Sequence, residues 1–380
     1  MSNPAKIFIC GDFCSTPSTE YIQVSEKLST LIQSCDIRVC NLESPVLPNK
    51  TKPVAGRIYQ SENVPEFLSK LGFNLVTIAN NHTFDYGEEG YAHTVSLLRN
   101  NRIEYLGAGN IEEAYRLKTI EINRLKIGFL AFSFAGRTEK IDEWKEAGKG
   151  SAYINSLKVP HIIEDAKKKV DFLVVLPHDG IEYIDIPLPE TILRYRDFID
   201  SGADIVVGAH PHCPQGWEIY RNKPIFYSLG NFFFNSKTTP DFVAKRPYWY
   251  NGLALILSVN ENSLEYEYIN TINIRNRQLD VDNTLESQEH TRILNDLLND
   301  KTKYESELKK IVERDGFLRL KNLAAYYRSM TFTFGAKFLV ANLVRSLRRG
   351  FYNIEQSTYL YGDTERNLIL RYLNSLKDKN

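Results

Sequence analysis

The stretch VVGAHPHCPQG, residues 206–216, decides the fold, because it joins a buried strand to two histidines. The run ADIVVG (203–208) has the apolar and β-branched density of a strand that is covered on both faces. His210 and His212 follow directly, and an extended segment would point both imidazoles to the same side. This pattern predicts a ligand-binding site at the end of the strand.

Four more apolar runs end in polar side chains. KIFIC (6–10) precedes Asp12, DIRVC (36–40) precedes Asn41 and Glu43, NLVTIA (74–79) precedes Asn80, Asn81 and His82, and DFLVVL (171–176) precedes His178. Ligands of α/β sheets bind outside the carboxyl ends of the strands. One such residue alone would more simply be a helix cap or a satisfied polar group. Five strand ends with mixed donors favour a shared site.

The regular elements predict an α/β fold with a helical extension. KIGFLAF (126–132) is also predicted to be a strand, residues 87–101 and 189–202 are predicted to be helices, and residues 217–234 and 252–274 are predicted to form hairpins. From Leu285 onwards the pattern is helical. We therefore expect an α/β domain over residues 1–284 and a helical C-terminal region over residues 285–380.

The composition is that of an ordinary globular protein. Lys plus Arg and Asp plus Glu both number 47, so no global charge attracts nucleic acid, and we expect no nucleic-acid partner. The five cysteines are odd in number and irregularly spaced, which argues against a secreted disulfide framework. With neither a leader pattern nor an apolar run of membrane-spanning length, a reduced, cytoplasmic protein is expected.

The donor set predicts the kind of metal. Carboxylate, carboxamide and imidazole ligands together suit a borderline divalent ion such as Mn²⁺, Zn²⁺, Fe²⁺ or Ni²⁺. The donors are too many for one tetrahedral zinc and fit two metals that share a carboxylate. Such a centre could attack a phosphoester or an amide, and the residues do not distinguish phosphorus from carbon as the electrophile.

The motifs together resemble the CapA family, the metallophosphatase-like proteins of poly-γ-glutamate capsule synthesis. The matching stretches are GDF (11–13), NLESPV (41–46), TIANNHTFDYGEEG (77–90), LPHDGIEY (176–183), GADIVVGAHPHCPQGWEIY (202–220) and PIFYSLGNFFF (224–234). The resemblance implies a calcineurin-like metallophosphoesterase β-sandwich, with two mixed sheets flanked by helices and a dinuclear metal centre at the strand ends. It also implies hydrolysis or transfer on an anionic surface polymer of the poly-γ-glutamate type.

Site residues follow from the same resemblance. The implied metal ligands are Asp12, Glu43, Asn81, His178, His210 and His212. One metal would take Asp12, Glu43 and His212, and the other would take Glu43, Asn81, His178 and His210. His82 resembles the outer-sphere acid that protonates a leaving group. Asp85 and Glu182 are candidates for side chains that orient His82 or His178, although Asp85 could instead cap the helix that begins near Gly87.

Two positions depart from the family pattern. Broader calcineurin-like enzymes have a histidine two residues after the first aspartate, where this chain has Cys14, which we interpret as a buried neutral thiol. The usual His-Trp-Gly is His-Asp-Gly here, so Asp179 replaces a tryptophan platform on the substrate surface. Two alternatives stay open: a phosphomono- or phosphodiesterase on a small substrate, and an inactive binding or scaffold component of a polymer-synthesis assembly.

Residues 316–354 contain cations and no acid. The cations are Arg319, Lys321, Arg328, Lys337, Arg345, Arg348 and Arg349. Such a basic segment could contact an anionic polymer or lie peripherally on a membrane, or it could pack as an ordinary amphipathic helix with solvated arginines. Outside these motifs, His161 and His290 are expected to be solvated.

Overall fold

The computed structural model describes residues 3–16, 18–48, 50–134, 140–142, 147–236, 238–261, 263–274, 277–316, 318–319, 367–372 and 375. The chain forms two compact units, residues 1–299 and 300–380. The predicted limit at residue 284 lies one helix earlier. The basic residues of 316–354 lie outside the described part of the chain, apart from Arg319.

The strands alternate with helices through most of the first unit. In chain order the strands are β1 Ala5–Cys14, β2 Gln23–Val24, β3 Ile37–Leu42, β4 Leu75–Thr77, β5 Glu104–Leu106, β6 Ala108–Gly109, β7 Lys118–Ile122, β8 Leu125–Ser133, β9 Lys140–Ile141, β10 Gly150–Ala152, β11 Phe172–His178, β12 Ile205–Val207, β13 Trp217–Tyr220, β14 Lys223–Phe226, β15 Asn231–Phe234, β16 Asn251–Val259, β17 Leu264–Ile274 and β18 Gln278–Val281. The helices are α1 Glu26–Gln33, α2 Val64–Leu71, α3 Gly87–Asn100, α4 Ile111–Ala114, α5 Val159–Lys167, α6 Pro189–Asp200, α7 Pro240–Ala244, α8 Leu285–Asn299 and α9 Lys301–Ile311.

Two large mixed sheets dominate the first unit. One has the strand order β2-β18-β17-β16-β1-β3-β4-β5, with β15 also paired to β1. The other has the order β13-β14-β12-β11-β8-β7. In the first sheet β1, β3, β4 and β5 run parallel, and in the second β8, β11, β12 and β14 do. Parallel strands place their carboxyl ends along one edge of each sheet, where polar side chains can meet.

The sheets pack face to face through an apolar layer. Ile7 and Val39 of the first sheet meet Phe129 and Val174 of the second in this layer, and all four are buried. Helices α1, α2 and α3 bury residues such as Leu28 on the outer face of the first sheet, and α5 and α6 cover the second. Burial of such side chains contributes about 1.5–3 kcal/mol each. The expected α/β sandwich flanked by helices is confirmed.

The predicted strands and both helices agree with the structure to within a few residues. The hairpin predicted over 217–234 is shorter than expected, since only β13 and β14 form it. Residues Asn231–Phe234 leave the hairpin and pair with β1 in the other sheet. The second hairpin, β16 with β17, is confirmed. The chain after Leu285 is helical through α8 and α9, as predicted.

Helix α8 packs on the sandwich. Leu294 is buried, and the Asn295 side chain accepts a 2.9 Å hydrogen bond from the Trp217 backbone. The expectation that His290 is solvated is wrong, because its ring stacks on Tyr248 with centroids 3.6 Å apart. His161, by contrast, is exposed as expected. None of the helices in the described part of the chain combines the length and apolarity needed to cross a bilayer.

Candidate metal centre

The end of β1 places Asp12 against β15. Gly11 makes this possible, since a Cβ at that position would lie 1.9 Å from the Gly230 carbonyl oxygen. The Asp12 backbone N–H donates to that carbonyl at 3.0 Å, and Asp12 pairs in register with Asn231. The GDF motif therefore brings the buried Asp12 carboxylate to the junction of three strands.

Glu43 is fully buried just beyond β3. Neither of its carboxylate oxygens has a hydrogen-bond partner within the described part of the chain. Its Oε1 lies 3.6 Å from Nε2 of His212 and 4.0 Å from Nε2 of His82. Burial raises the pKa of the Glu43 carboxyl well above its usual range, and positive charge on His212 acts in the opposite direction. The carboxylate is thus held where only a cation would compensate its charge.

His212 is oriented by a carboxamide. Its Nδ1 lies 2.9 Å from Oδ1 of Asn231 and 3.3 Å from Oδ2 of Asp12. This leaves Nε2 directed at Glu43. Burial opposes charge on the imidazole, but the carboxylates of Glu43 and Asp12 outweigh it and raise the pKa of His212 to about 10. Such a fixed ring orientation is typical of metal-binding histidines.

Asn81, His178 and His210 converge on a neighbouring point. Nε2 of His178 lies 2.9 Å from Oδ1 of Asn81 and 3.2 Å from Nδ1 of His210. Burial, together with the charge that His210 and His212 can carry, lowers the pKa of His178 well below its usual range. The ring is therefore neutral near pH 7, which is the form that binds metals.

Left-handed backbone conformations position several of these residues. His210 has φ 105° and His212 has φ 57°, so the expectation of a regular extended segment with alternating side chains is wrong there. Strand β12 already ends at Val207. Ser44 (φ 84°) and Tyr183 (φ 68°) share this conformation, which is costly for residues other than glycine. Backbone strain of this kind gathers at functional sites.

His82 lies at the partly exposed side of the centre. Its Nδ1 donates to Oδ2 of Asp85 at 2.9 Å. The same carboxylate oxygen accepts from the Ile58 backbone at 2.9 Å, so Asp85 is itself fixed. The side chain of His82 is 20% exposed, whereas Asp12 and Glu43 are completely buried. The structure thus places Asp85 in contact with His82, and its orienting role stays a prediction.

Glu182 groups with two of the histidines. Its carboxylate and ring nitrogens of His210 and His212 lie within 4.8 Å of one another. A second group with the same spacing contains Asp12, Glu43 and His178. Burial alone would raise the pKa of Glu182, but His210, His212 and His82 lower it to about 2. The assignment of ligands to individual metals remains a prediction, and Glu182 lies close enough to take part.

Three polar residues were not singled out as site residues from the sequence. Asn41 donates to Oδ1 of Asp12 at 2.7 Å and lies 3.1 Å from Nδ1 of His178. Asn231 holds His212, and Gln60 donates to the Glu43 carbonyl oxygen at 2.7 Å. The position of Asn41 at a strand end and of Asn231 in the YSLGNF motif were signals that could have identified them.

The two departures from the family pattern have simple structural explanations. Cys14 is buried in an apolar cluster with Ile58 and Trp249, and its Sγ lies 3.7 Å from Oγ of Ser44. This agrees with the interpretation of a buried thiol rather than a ligand. Asp179 is also buried and pairs with Arg194 of α6. It therefore does not lie on a substrate surface.

The donor set fits a divalent metal. Buried carboxylates and imidazoles form two groups whose ligand atoms lie within 4.8 Å of one another, and His178 lies within hydrogen-bonding distance of Asn81 and His210. A buried carboxylate without a donor is expensive, and a cation bound to Glu43 would remove that cost. The expected candidate ligands are thus brought together by the fold.

The model of a known protein family matches residues 6–236, which include every one of these donors. That family is described as bacterial capsule synthesis protein PGA_cap. The chain belongs to this family. The resemblance to CapA seen in the motifs is confirmed.

Curated relatives carry related names. The chain is 30% identical over 229 residues to a capsule biosynthesis protein CapA of Bacillus anthracis, covering 58% of this chain and 55% of the relative. It is 29% identical over 224 residues to the PGA biosynthesis protein CapA of Bacillus subtilis, covering 57% and 58%. A probable polyglutamine synthesis accessory protein of Mycobacterium tuberculosis is 28% identical over 230 residues, covering 57% and 58%. The chain spans little more than half the length of these relatives.

Similar solved structures include a novel phosphatase from Mycoplasma pneumoniae, at TM-score 0.45 and 13% identity, covering 76% of this chain and 98% of that one. The sulfate thiohydrolase SoxB of Thermus thermophilus matches at TM-score 0.42 and 10% identity, covering 70% and 56%. Likeness at this level is compatible with many activities.

Proposed function

We propose that the protein is a metal-dependent hydrolase or transferase that acts on an anionic surface polymer of the poly-γ-glutamate type. One observation carries the proposal. The buried Glu43 carboxylate has no hydrogen-bond donor within the described part of the chain, and it faces His212 among further candidate metal ligands. If stability alone mattered at this position, we would expect an apolar residue or a carboxylate with a hydrogen-bond donor.

Asp12, Glu43 and His212 would hold one divalent ion, and Glu43, Asn81, His178 and His210 would hold a second, with Mn²⁺, Zn²⁺, Fe²⁺ and Ni²⁺ as candidates. Bound ions would act as Lewis acids and lower the pKa of nearby water. Asn231 and Asn41 keep the imidazole of His212 and the carboxylate of Asp12 in place.

His82 would supply the proton that the leaving group needs. Asp85 accepts from its Nδ1, which fixes the ring and directs Nε2 towards Glu43 and the centre. Its side chain is partly exposed, as a group that meets a substrate must be. Positioned proton donors of this kind contribute about 10²–10⁴-fold to turnover.

The polymer class is supported by the names of the relatives. The Bacillus proteins are named for capsule biosynthesis and PGA biosynthesis. The sequence match covers the whole metal centre, although it leaves almost half of each relative unmatched. We therefore infer the polymer from family membership and the reaction class from the site.

The test combines metal analysis with a substrate screen. Purified protein is reconstituted with Mn²⁺ and with Zn²⁺, its metal content is measured, and it is assayed on γ-glutamyl oligomers, capsule-type polymers and generic phosphoesters. We expect about two equivalents of metal and turnover of the γ-glutamyl substrate. Less than one equivalent would contradict the dinuclear centre.

The same screen separates the two alternatives. Turnover of phosphomono- or phosphodiesters alone would favour a phosphoesterase on a small substrate. Polymer binding without turnover of any substrate would favour an accessory or scaffold component, a role named for the mycobacterial relative.

The basic segment 316–354 would add affinity for the polymer or for anionic lipid at a membrane periphery. This rests on its charge alone, with seven cations and no acid. A cytoplasmic location is part of this proposal, in keeping with five cysteines that form no disulfide. Replacing Arg345, Arg348 and Arg349 by glutamine should weaken binding to poly-γ-glutamate or anionic vesicles at low salt. Unchanged binding to both would contradict it.

A further inference from the structure

Arg246 lies between two aromatic rings beside the metal centre. Its guanidinium carbon is 3.7 Å from the ring centroid of Phe242 and 4.0 Å from that of Tyr183. Stacking of this kind fixes the plane of a guanidinium and leaves its edges available for hydrogen bonds. The side chain is thus held in one orientation before any ligand arrives.

The rings that hold Arg246 also contact a candidate metal ligand. The ring of Tyr183 stacks on His212 with centroids 6.0 Å apart. Trp249 lies 5.4 Å from His212 and 4.8 Å from Phe242, again between centroids. Tyr183, Phe242 and Trp249 therefore form an aromatic wall with Arg246 and His212 both in contact with it. A group bound to Arg246 would lie one aromatic side chain away from the centre.

Within the described part of the chain, few of the donors of Arg246 are used. Nη1 donates to the Phe242 carbonyl oxygen at 2.9 Å, which closes the end of α7. Nε is buried and has no hydrogen-bond partner in the described residues, and no acidic side chain among them forms an ion pair with the guanidinium. Closing a short helix needs only one of five N–H groups. An unpaired, pre-oriented cation favours an anionic ligand.

We propose that Arg246 is a specificity-determining residue that binds a carboxylate of the substrate, next to the bond that lies at the metal centre. The inference rests on the proposed function, because a poly-γ-glutamate chain carries a free carboxylate on every residue beside its amide backbone. Because Nε is buried, Nη2 and the second N–H of Nη1 would bind the carboxylate with two parallel hydrogen bonds. The aromatic wall would pack against the methylene groups between carboxylate and amide.

The test removes first the substrate carboxylate and then the Arg246 guanidinium. Binding of a γ-glutamyl pentamer with free α-carboxylates is compared with binding of the same pentamer carrying α-carboxamides, by calorimetry on the metal-loaded full chain. Wild type should prefer the acid pentamer by about tenfold or more, as for a hydrogen bond to a charged group. Arg246→Gln should abolish the preference. If the role of Arg246 is purely structural, Arg246→Gln should instead weaken the binding of both pentamers equally.

Arg99 provides the matched control. It also lies over a tyrosine, with its guanidinium carbon 5.7 Å from the Tyr105 centroid, but on the exposed surface of α3. Arg99→Gln should keep the full preference. If Arg246→Gln fails to fold, Arg246→Lys takes its place, since an ammonium lacks the fork and should lose part of the preference.

Two results would overturn the inference: a wild type without preference for the acid pentamer, or Arg246 variants with the wild-type preference. Turnover is measured separately on the acid pentamer. Wild-type protein that shows the Arg246-dependent preference but no turnover would count against the proposed reaction and leave this inference standing.

Discussion

Nε2 of His212 lies 3.6 Å from Oε1 of Glu43, and neither oxygen of that buried carboxylate accepts a hydrogen bond in the described part of the chain. A buried carboxylate without donors costs free energy of folding, and an imidazole at this distance compensates it only partly. Full compensation of the Glu43 charge therefore requires a further positively charged group beside this pair. We therefore expect the Glu43 carboxylate to lower the stability of the metal-free protein and to favour metal binding.

The first prediction tests this opposition. Glu43→Gln should raise the free energy of unfolding of the metal-free protein by about 1 kcal/mol or more, because a neutral amide is cheaper to bury than a carboxylate. The same substitution should abolish the stabilisation that added Mn²⁺ gives the wild type. Urea unfolding in chelator and in excess Mn²⁺ measures both effects.

Glu218 is the matched control for Glu43. Its carboxylate accepts from Nε and Nη2 of Arg196 at 2.8 and 2.6 Å. Glu218→Gln should therefore lower the free energy of unfolding with or without metal. If Glu43→Gln destabilises the metal-free protein in the same way, the carboxylate is a structural group and the first prediction is wrong.

The second prediction separates His82 from the metal ligands. His82→Ala should keep the wild-type metal content and lower turnover by about 10²–10⁴-fold, since His82 would supply a proton rather than a ligand. His210→Ala should lower the metal content itself. Metal analysis and turnover are measured on both variants, and equal loss of metal would show that His82 binds the metal.

The strand-end donors could be predicted from the sequence because each follows a short apolar run, and parallel strands bring their ends together. His210 and His212 are separated by one residue, and their ring centroids lie 5.9 Å apart. Their left-handed backbone could not be predicted, since it depends on contacts made by distant segments.

The role of Arg246 could not be predicted from the sequence either. It lies in an unremarkable loop after α7, and only the fold brings Tyr183 over its guanidinium. Asn231 lies in the YSLGNF motif, but only the fold brings its side chain to His212. The local sequence does not show which distant residue such a side chain contacts.

The third prediction concerns Asn231. Asn231→Ala should weaken metal binding by about 10–100-fold, because Nδ1 of His212 loses the carboxamide that fixes its ring. Asn235→Ala is the control, since the Asn235 side chain accepts from the Thr16 backbone instead. Titration of metal-free protein with Zn²⁺ against a chelator of known affinity measures the metal affinity of both variants. Equal affinities in the two variants would contradict a role for Asn231 in orienting His212.

His290 is held on Tyr248, whose neighbour Trp249 belongs to the aromatic wall. Its Nε2 is buried and has no hydrogen-bond partner in the described residues. Burial lowers the pKa of His290 to about 4, and the charge of Glu286 acts in the opposite direction. The folded protein therefore holds this ring neutral at pH values where the unfolded chain, with a pKa of about 6.5, takes up a proton.

The fourth prediction follows from this difference. Between about pH 4 and 6.5 the unfolded state binds more protons at His290, so its contribution to stability is complete above pH 6.5 and is lost as the pH falls towards 4. Because the ring is only partly buried, we expect a loss of about 1–2 kcal/mol. Urea unfolding of wild type and His290→Gln, at pH 7.5 and 5.0 in chelator, isolates this contribution from other titrating groups. Between pH 7.5 and 5.0 the free energy of unfolding should fall more for the wild type than for the variant. Identical losses would show that protonation of His290 does not destabilise the folded protein.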